Sequence, residues 1–341
     1  MASHLSRNKS KLALFIWVLA LSFPPDVAAK QAKPSPRTRK SRPAVSNVRF
    51  TSGNSALKIP LEIDNNIILM RVRVNTSRPL KFIFDTGASY TCISAKRATE
   101  LGLKTEGEAT GTATGGAIRG TFVKGVSLSV PGAEVSNQLI FSLAFPDVPG
   151  FEFDGVIGYD FINEFVVEID YLKKIMNLYN PRTYVYRGKG GVIPLLLAGR
   201  RTPLARTTII LNNGASLNAE LEVDTGADGT LVINSPFVKK QGLVSAIADT
   251  TETGRRGAGG EQKALIGRVR TVRLGRFLFR QPPVVLALDP ERSGAAEEGN
   301  GVIGGEIFRR FKVIIDYSRK RMILEPNKSF NDPYSLESGD E

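Results

Sequence analysis

Asp85-Thr86-Gly87 and Asp224-Thr225-Gly226 are the residues of this chain whose types and spacing could do chemistry. Each ends an apolar run, Phe82-Ile83-Phe84 before the first and Leu221-Glu222-Val223 before the second. Two carboxylates on matching turns, brought within about 3 Å, cannot both ionise, so they share one proton and titrate as a pair. That state suits attack of water on an amide. The ionised member takes a proton from the water and the protonated one polarises the carbonyl, with no covalent intermediate, metal or cofactor. Gly87 and Gly226 let the chain turn sharply and let other backbone pass close by. Thr86 and Thr225 each offer a hydroxyl that can tie one turn to the other.

The residue inventory excludes most other hydrolytic designs. The only histidine is His4, near the N-terminus. Chemistry that needs an imidazole as base or zinc ligand therefore has no candidate in the body of the chain. The single Cys92 has no partner for a disulfide and no histidine for thiolate activation, and reads as a small buried strand residue.

The elements that must hold the two turns are themselves repeated. Gly155-Val156-Ile157-Gly158 follows the first turn and Gly301-Val302-Ile303-Gly304 the second; Val167-Glu168-Ile169-Asp170-Tyr171 is matched by Val313-Ile314-Ile315-Asp316-Tyr317. The copies are offset by 139 residues at the Asp turns and by 146 at Gly158/Gly304 and at Asp170/Asp316. A register kept over that distance, with seven residues gained in one loop, is a tandem duplication, and two copies make a bilobed molecule. The pattern between motifs is mostly β. Residues 67–74 and 80–84 read as a hairpin leading to Asp85, and Asn212-Asn213-Gly214 between apolar runs reads as the matching hairpin turn. Residues 111–116 and 254–260, rich in Gly and Thr, read as mobile hairpin tips over the site, either of which could be the lid. Short helical turns are expected over 161–165 and 307–311, opened by Asp160 and Glu306 serving exposed amides. Asp170 and Asp316 read as structural hairpin residues.

With these motifs on the page, the chain resembles the aspartic proteases, and most closely the retropepsin-like bacterial branch of the pepsin/retropepsin group. The likeness spans roughly residues 56–326 and rests on Asp85-Thr86-Gly87-Ala88, Asp224-Thr225-Gly226-Ala227 and the apolar elements ending at Gly158 and Gly304. It implies an all-β fold of two homologous β-barrel lobes, with the site in the cleft between them. It implies that Asp85 and Asp224 are catalytic, that Thr86, Gly87, Ala88, Thr225, Gly226 and Ala227 support the turns, and that Gly158 and Gly304 brace them from behind. Ser89, Asp228 and the tip glycines Gly115, Gly116, Gly259 and Gly260 are its candidate substrate-binding residues. No metal or cofactor is implied. Alanine after each Gly, where pepsins often carry Ser or Thr, removes a hydroxyl donor to the carboxylate and points to a working range less acidic than pepsin's. The expected activity is that of an endopeptidase acting on peptides or proteins, monomeric because both turns lie in one chain. The alternatives are a peptide-binding protein that kept the cleft without turnover, and a surface-attachment protein.

The segments read as follows: 1–29 a signal peptide, 30–50 a basic Pro/Ser-rich linker, 51–184 and 185–326 the two lobes, 327–341 a flexible tail. Arg7, Lys9 and Lys11 precede the apolar run 12–23, and Val27-Ala28-Ala29 supplies small residues for cleavage, the layout of an export signal or of an uncleaved N-terminal anchor. A periplasmic or secreted location is expected. The net charge of +13 is concentrated in residues 30–50, which carry seven basic residues and no acid. That argues against a nucleic-acid partner and for a linker, a removable pro-segment or weak contact with an anionic envelope or membrane surface.

Overall fold

The computed structural model describes residues 47–148, 150–197, 201–289 and 299–334, together with the backbone of two short strands, Phe15–Trp17 and Leu21–Ser22. Apart from those two strands, the signal assigned above lies outside the described residues, as do residues 30–46 of the linker and 335–341 of the tail. Strands dominate, as the alternating patterns require, and they form two lobes joined by a shared sheet.

The shared sheet has six antiparallel strands. Residues 55–60 pair with Ile175–Tyr179, which pairs with Val166–Asp170; that strand meets Phe311–Asp316, then Arg321–Pro326, then residues 191–194. At its centre Val166 lies opposite Asp316 and Asp170 opposite Lys312, so each pairing is the other's image under the 146-residue offset. The duplicated Asp-Tyr motif therefore marks the pseudo-twofold seam. Asp170 accepts from the Lys173 amide at 3.0 Å, and Asp316 from the Arg319 amide at 3.1 Å and the Arg321 guanidinium at 3.0 Å. Both shape hairpin ends and neither reaches the cleft turns.

Each lobe hangs from one end of this sheet. Ser55–Asp64 continues past residue 60 into the first lobe and Gly191–Leu196 passes into the second, so the same arm enters both barrels. Inward-facing side chains of Ile67–Val74, Leu80–Phe84 and Gly116–Val130 fill the first core; those of Leu204–Ile210, Ser216–Val223 and Pro283–Ala287 fill the second. Cys92 is fully buried in Cys92–Ser94, and burial pushes its thiol pKa well up, so it stays a neutral packing residue.

Three details correct the sequence reading. The end of the expected linker belongs to the first lobe, because Val48–Phe50 pairs with residues 133–135 and Phe50 packs edge-on against Phe165. The expected loose tail is docked as far as Tyr334: the buried Arg310 guanidinium donates to the carbonyls of Ser329, Phe330, Asp332 and Pro333, and sits 4.2 Å over the Tyr334 ring. The helical turns are Tyr159–Ile162 and Gly305–Phe308, each capped by the brace glycine, so Asp160 and Glu306 fall inside the first turn. The second-lobe hairpin turns at residues 212–214 as read from the sequence, the Leu211 amide donating to the Ala215 carbonyl at 2.8 Å.

Candidate active site

Asp85 follows Leu80–Phe84 and Asp224 follows Ser216–Val223. Each is fixed first through its backbone. Gly155–Ile157 runs parallel to Leu80–Phe84 and Gly301–Ile303 parallel to Ser216–Val223, and the Asp amides donate to Ile157 and Ile303 carbonyls, both at 3.0 Å. The brace strand thus crosses behind its turn in both lobes. Gly158 and Gly304 leave no room for a side chain: a Cβ would fall 2.5 Å from the Tyr90 carbonyl oxygen in one lobe and 2.4 Å from that of Gly229 in the other. The Ala88 and Ala227 carbonyls accept from the amides of Tyr159 at 2.8 Å and Gly305 at 2.6 Å, pinning each turn to the short helix beyond its brace.

The two turns are tied reciprocally. Thr86 Oγ1 donates to the Val223 carbonyl at 2.5 Å and accepts from the Thr225 amide at 3.0 Å. Thr225 Oγ1 donates to the Phe84 carbonyl at 2.8 Å and accepts from the Thr86 amide at 3.2 Å. All four residues are buried, so each bond fills a need that water cannot meet. Gly87 and Gly226 lie against the opposite carboxyl, where a Cβ would meet Asp224 Cγ at 2.7 Å and Asp85 Cγ at 2.5 Å. Their amides donate to the near oxygen of their own aspartate, both at 2.7 Å.

Asp85 and Asp224 are fully buried side by side. Among the described residues no N–H or hydroxyl reaches Oδ2 of either one, and the group that lies beside each is the other carboxyl. Burial raises both above the usual carboxylate range, Asp85 furthest, with the neighbouring Asp224 charge adding to it. Their surroundings then differ. The Gly226 and Ala227 amides and the charge of Arg255 favour ionised Asp224, whereas Asp85 has only the Gly87 amide and faces the added negative field of Glu222. Burial and mutual repulsion keep one proton between the two carboxyls, which hold it as a pair.

Two hairpins close over the pair. Thr105–Ala113 with Gly116–Val130 forms the first flap, and Thr251–Gly257 with Gly260–Arg268 the second. Their tips meet: the Gly259 amide donates to the Thr114 carbonyl at 2.9 Å, and a Cβ on Gly115 would fall 2.3 Å from the Gly260 nitrogen. Both Gly-rich stretches thus meet at one point, neither one alone forming the cover. The outer edge of each flap accepts an extended chain, since Phe15–Trp17 pairs in parallel with residues 254–256 and Leu21–Ser22 antiparallel with residues 112–113.

Of the remaining candidates, Ser89 is buried beside its turn and the Asp228 carbonyl accepts from Asn66 Nδ2 at 3.0 Å. Asp160 Oδ1 accepts from the Thr91 amide and hydroxyl at 2.8 and 2.7 Å and from the Phe161 amide at 3.1 Å, so it serves amides as its position suggests. Glu306 does not; it pairs with Arg309 and Arg310 and accepts from Asn66 Nδ2 at 3.1 Å. Sequence reasoning missed Asn66, Glu222 and Arg255. Asn66 is a left-handed turn residue of one lobe reaching the other, which no local pattern reveals. Glu222 announces itself as a lone charge in an apolar strand, and Arg255 emerges only when the flap copies are aligned residue by residue.

A family model described as aspartyl protease matches residues 70–161 and 207–307. No curated protein matches the chain. The two matched segments carry the two turns, both flaps and both brace elements described above.

Proposed function

The chain belongs to the aspartyl protease family, and on that premise we propose that it is a retropepsin-like endopeptidase working as a single chain. The observation that carries this reading is the buried pair itself: two carboxyls with bare Oδ2 atoms, under flaps that touch at their tips. A water between the Oδ2 atoms gives a proton to Asp224 and attacks the peptide carbonyl, whose oxygen takes a hydrogen bond from protonated Asp85. The tetrahedral intermediate collapses as a carboxyl proton passes to the leaving nitrogen, breaking the C–N bond and restoring one shared proton. No atom of the protein bonds covalently to substrate. The flaps exclude bulk water and fix the peptide as an extended strand.

Export belongs to the same proposal, supported by the charged, apolar and small-residue order of residues 7–29. Residues 30–46 would then space the protease from an anionic envelope surface. The test is cleavage of a diverse peptide library by the purified chain across roughly pH 3 to 8, beside Asp224→Asn. Cleavage that disappears in the variant supports the dyad. A folded wild type that cleaves nothing, or activity that survives in the variant, overturns it.

A further inference from the structure

The two flaps share a register. Ala113 faces Gly116 at the first tip and Gly257 faces Gly260 at the second; two residues back, Gly111 faces Ile118 in one and Arg255 faces Gln262 in the other. One flap therefore presents glycine and a buried isoleucine where its twin presents arginine and glutamine. Near the tip of Thr251–Gly257, Arg255 and Gly257 are buried while Arg256 between them is partly exposed and pairs with Glu261.

Arg255 is 1% exposed, yet it has no ion pair among the described residues. One nitrogen, Nη2, makes a long bond of 3.4 Å to Thr114 Oγ1 across the tips, and Nε and Nη1 bond to nothing. A guanidinium keeps its charge when buried: desolvation lowers the pKa of Arg255 only to about 10, with Asp224 opposing the fall. A buried cation with two unbonded nitrogens is costly alone and well matched to a carboxylate, which could take the Nε–Nη2 or the Nη1–Nη2 edge in place of the long bond from Nη2 to Thr114. The strand that carries it also takes an extended chain on its open edge, with Ile16 opposite Arg255. A peptide laid along that edge runs beside the guanidinium.

We propose that Arg255 is a specificity residue: it binds the carboxylate of a Glu or Asp side chain in the peptide substrate, on one side of the scissile bond only. The one-sidedness follows from Gly111, which gives the first flap no counterpart charge. This rests on the protease reading and deepens it by naming the substrate class, peptides acidic on the side held by the second flap.

The experiment uses peptides cleaved by the full chain, with Glu or Gln substituted in turn at each position from four residues before to four after the cut. Wild type is expected to favour Glu over Gln by roughly tenfold or more in kcat/KM at one position, on one side. Arg255→Met should bring that ratio near one, Arg255→Lys should leave it intermediate, and Arg255→Glu should turn the preference toward Lys at the same position. A merely structural role for Arg255 would lower cleavage of all peptides alike and leave the ratio intact. In parallel, equilibrium binding of the same peptides to Asp85→Asn measures the pocket without turnover. Efficient cleavage with no Glu preference, a preference on both sides, or one that survives in Arg255→Met, overturns the proposal while leaving the protease standing. Absence of cleavage alongside tighter binding of the Glu peptide to Asp85→Asn, but not to Asp85→Asn/Arg255→Met, would sink the protease reading and keep the carboxylate pocket.

Discussion

In the first lobe the Asp turn is held by a brace strand, an Ile157 carbonyl and a threonine that reaches across; in the second, the same bonds recur from Ile303 and the opposite threonine. Corresponding distances agree within a few tenths of an ångström. Charge does not repeat. Asp224 has Arg255 and two amides, whereas Asp85 has one amide and the field of Glu222. Behind the turns Asp160 sits among hydrogen-bond donors, while its 146-residue counterpart Glu306 holds two arginines. Duplication kept the backbone that both carboxyls need and let the side chains around them diverge, a divergence that would divide the roles of acid and base in the proposed reaction.

The hardest test of that division replaces each aspartate in turn. Asp85→Asn and Asp224→Asn should each cost on the order of 10³-fold or more in kcat, because a single carboxyl cannot supply both acid and base. The comparison lies in what remains. Asp224 left alone in Asp85→Asn should titrate at lower pH than Asp85 left alone in Asp224→Asn, read by carboxyl NMR or infrared difference spectra. Equal values would mean that Arg255 and Glu222 do not set the roles.

The next effect in size comes from Glu306, 6% exposed against the fully buried Arg310. Glu306→Gln leaves that guanidinium without its counter-charge, although its bonds to the carbonyls of residues 329, 330, 332 and 333 remain. A loss of about 3–5 kcal/mol in urea unfolding is expected, as for other buried pairs broken on one side. A loss below about 1 kcal/mol would place the stability of this corner in the carbonyl cage instead.

The threonines test the symmetric half. Thr86→Val keeps the shape but strips the Val223 carbonyl and the Thr225 amide of a partner; Thr225→Val does the same to Phe84 and Thr86. Each should cost about 2–4 kcal/mol, the desolvation of two buried polar groups. The two values should agree within about 1 kcal/mol and the double variant should cost less than their sum, since the bonds form one network. Unequal losses would show that the turns are alike in geometry but not in energy.

How much of this was legible in the sequence follows the same divide. The paired turns, their braces and the all-β duplication could be read, because Asp-Thr-Gly and Gly158/Gly304 answer to local steric demands that recur in both copies. The seam at Asp170 and Asp316 showed as a repeat, though its antiparallel pairing across the lobes needed three dimensions. What escaped was non-local and unrepeated: Arg310 gathering carbonyls from residues 329–333, Asn66 crossing to Asp228, and Arg255 standing where the other copy has Gly111. The docked tail in particular looked loose because its stickiness lies in backbone carbonyls, which composition does not show.

Asp160 gives the smallest effect and the opposite sign to Glu306. Asp160 is partly exposed as a residue, but its Oδ2 is buried without a partner among the described residues, and burial outweighs the donors on Oδ1, lifting the pKa from 3.8 to about 6. A raised carboxylate favours the folded state while it is protonated: the contribution is full below the unfolded value and is lost as pH rises through the folded one. The loss between pH 4 and pH 7 is at most about 3 kcal/mol at 1.36 kcal/mol per unit. Asp160→Asn keeps an acceptor for Thr91 and Phe161 and cannot ionise, so it should lack this slope. The raised pair Asp85 and Asp224 adds its own slope to both proteins and cancels in the difference. Wild type minus Asp160→Asn, from urea unfolding at several pH values, should therefore fall as pH rises over that window. A flat difference would mean that Asp160 ionises as freely as an exposed aspartate, and that the two lobes differ less behind their turns than Glu306 and Asp160 suggest.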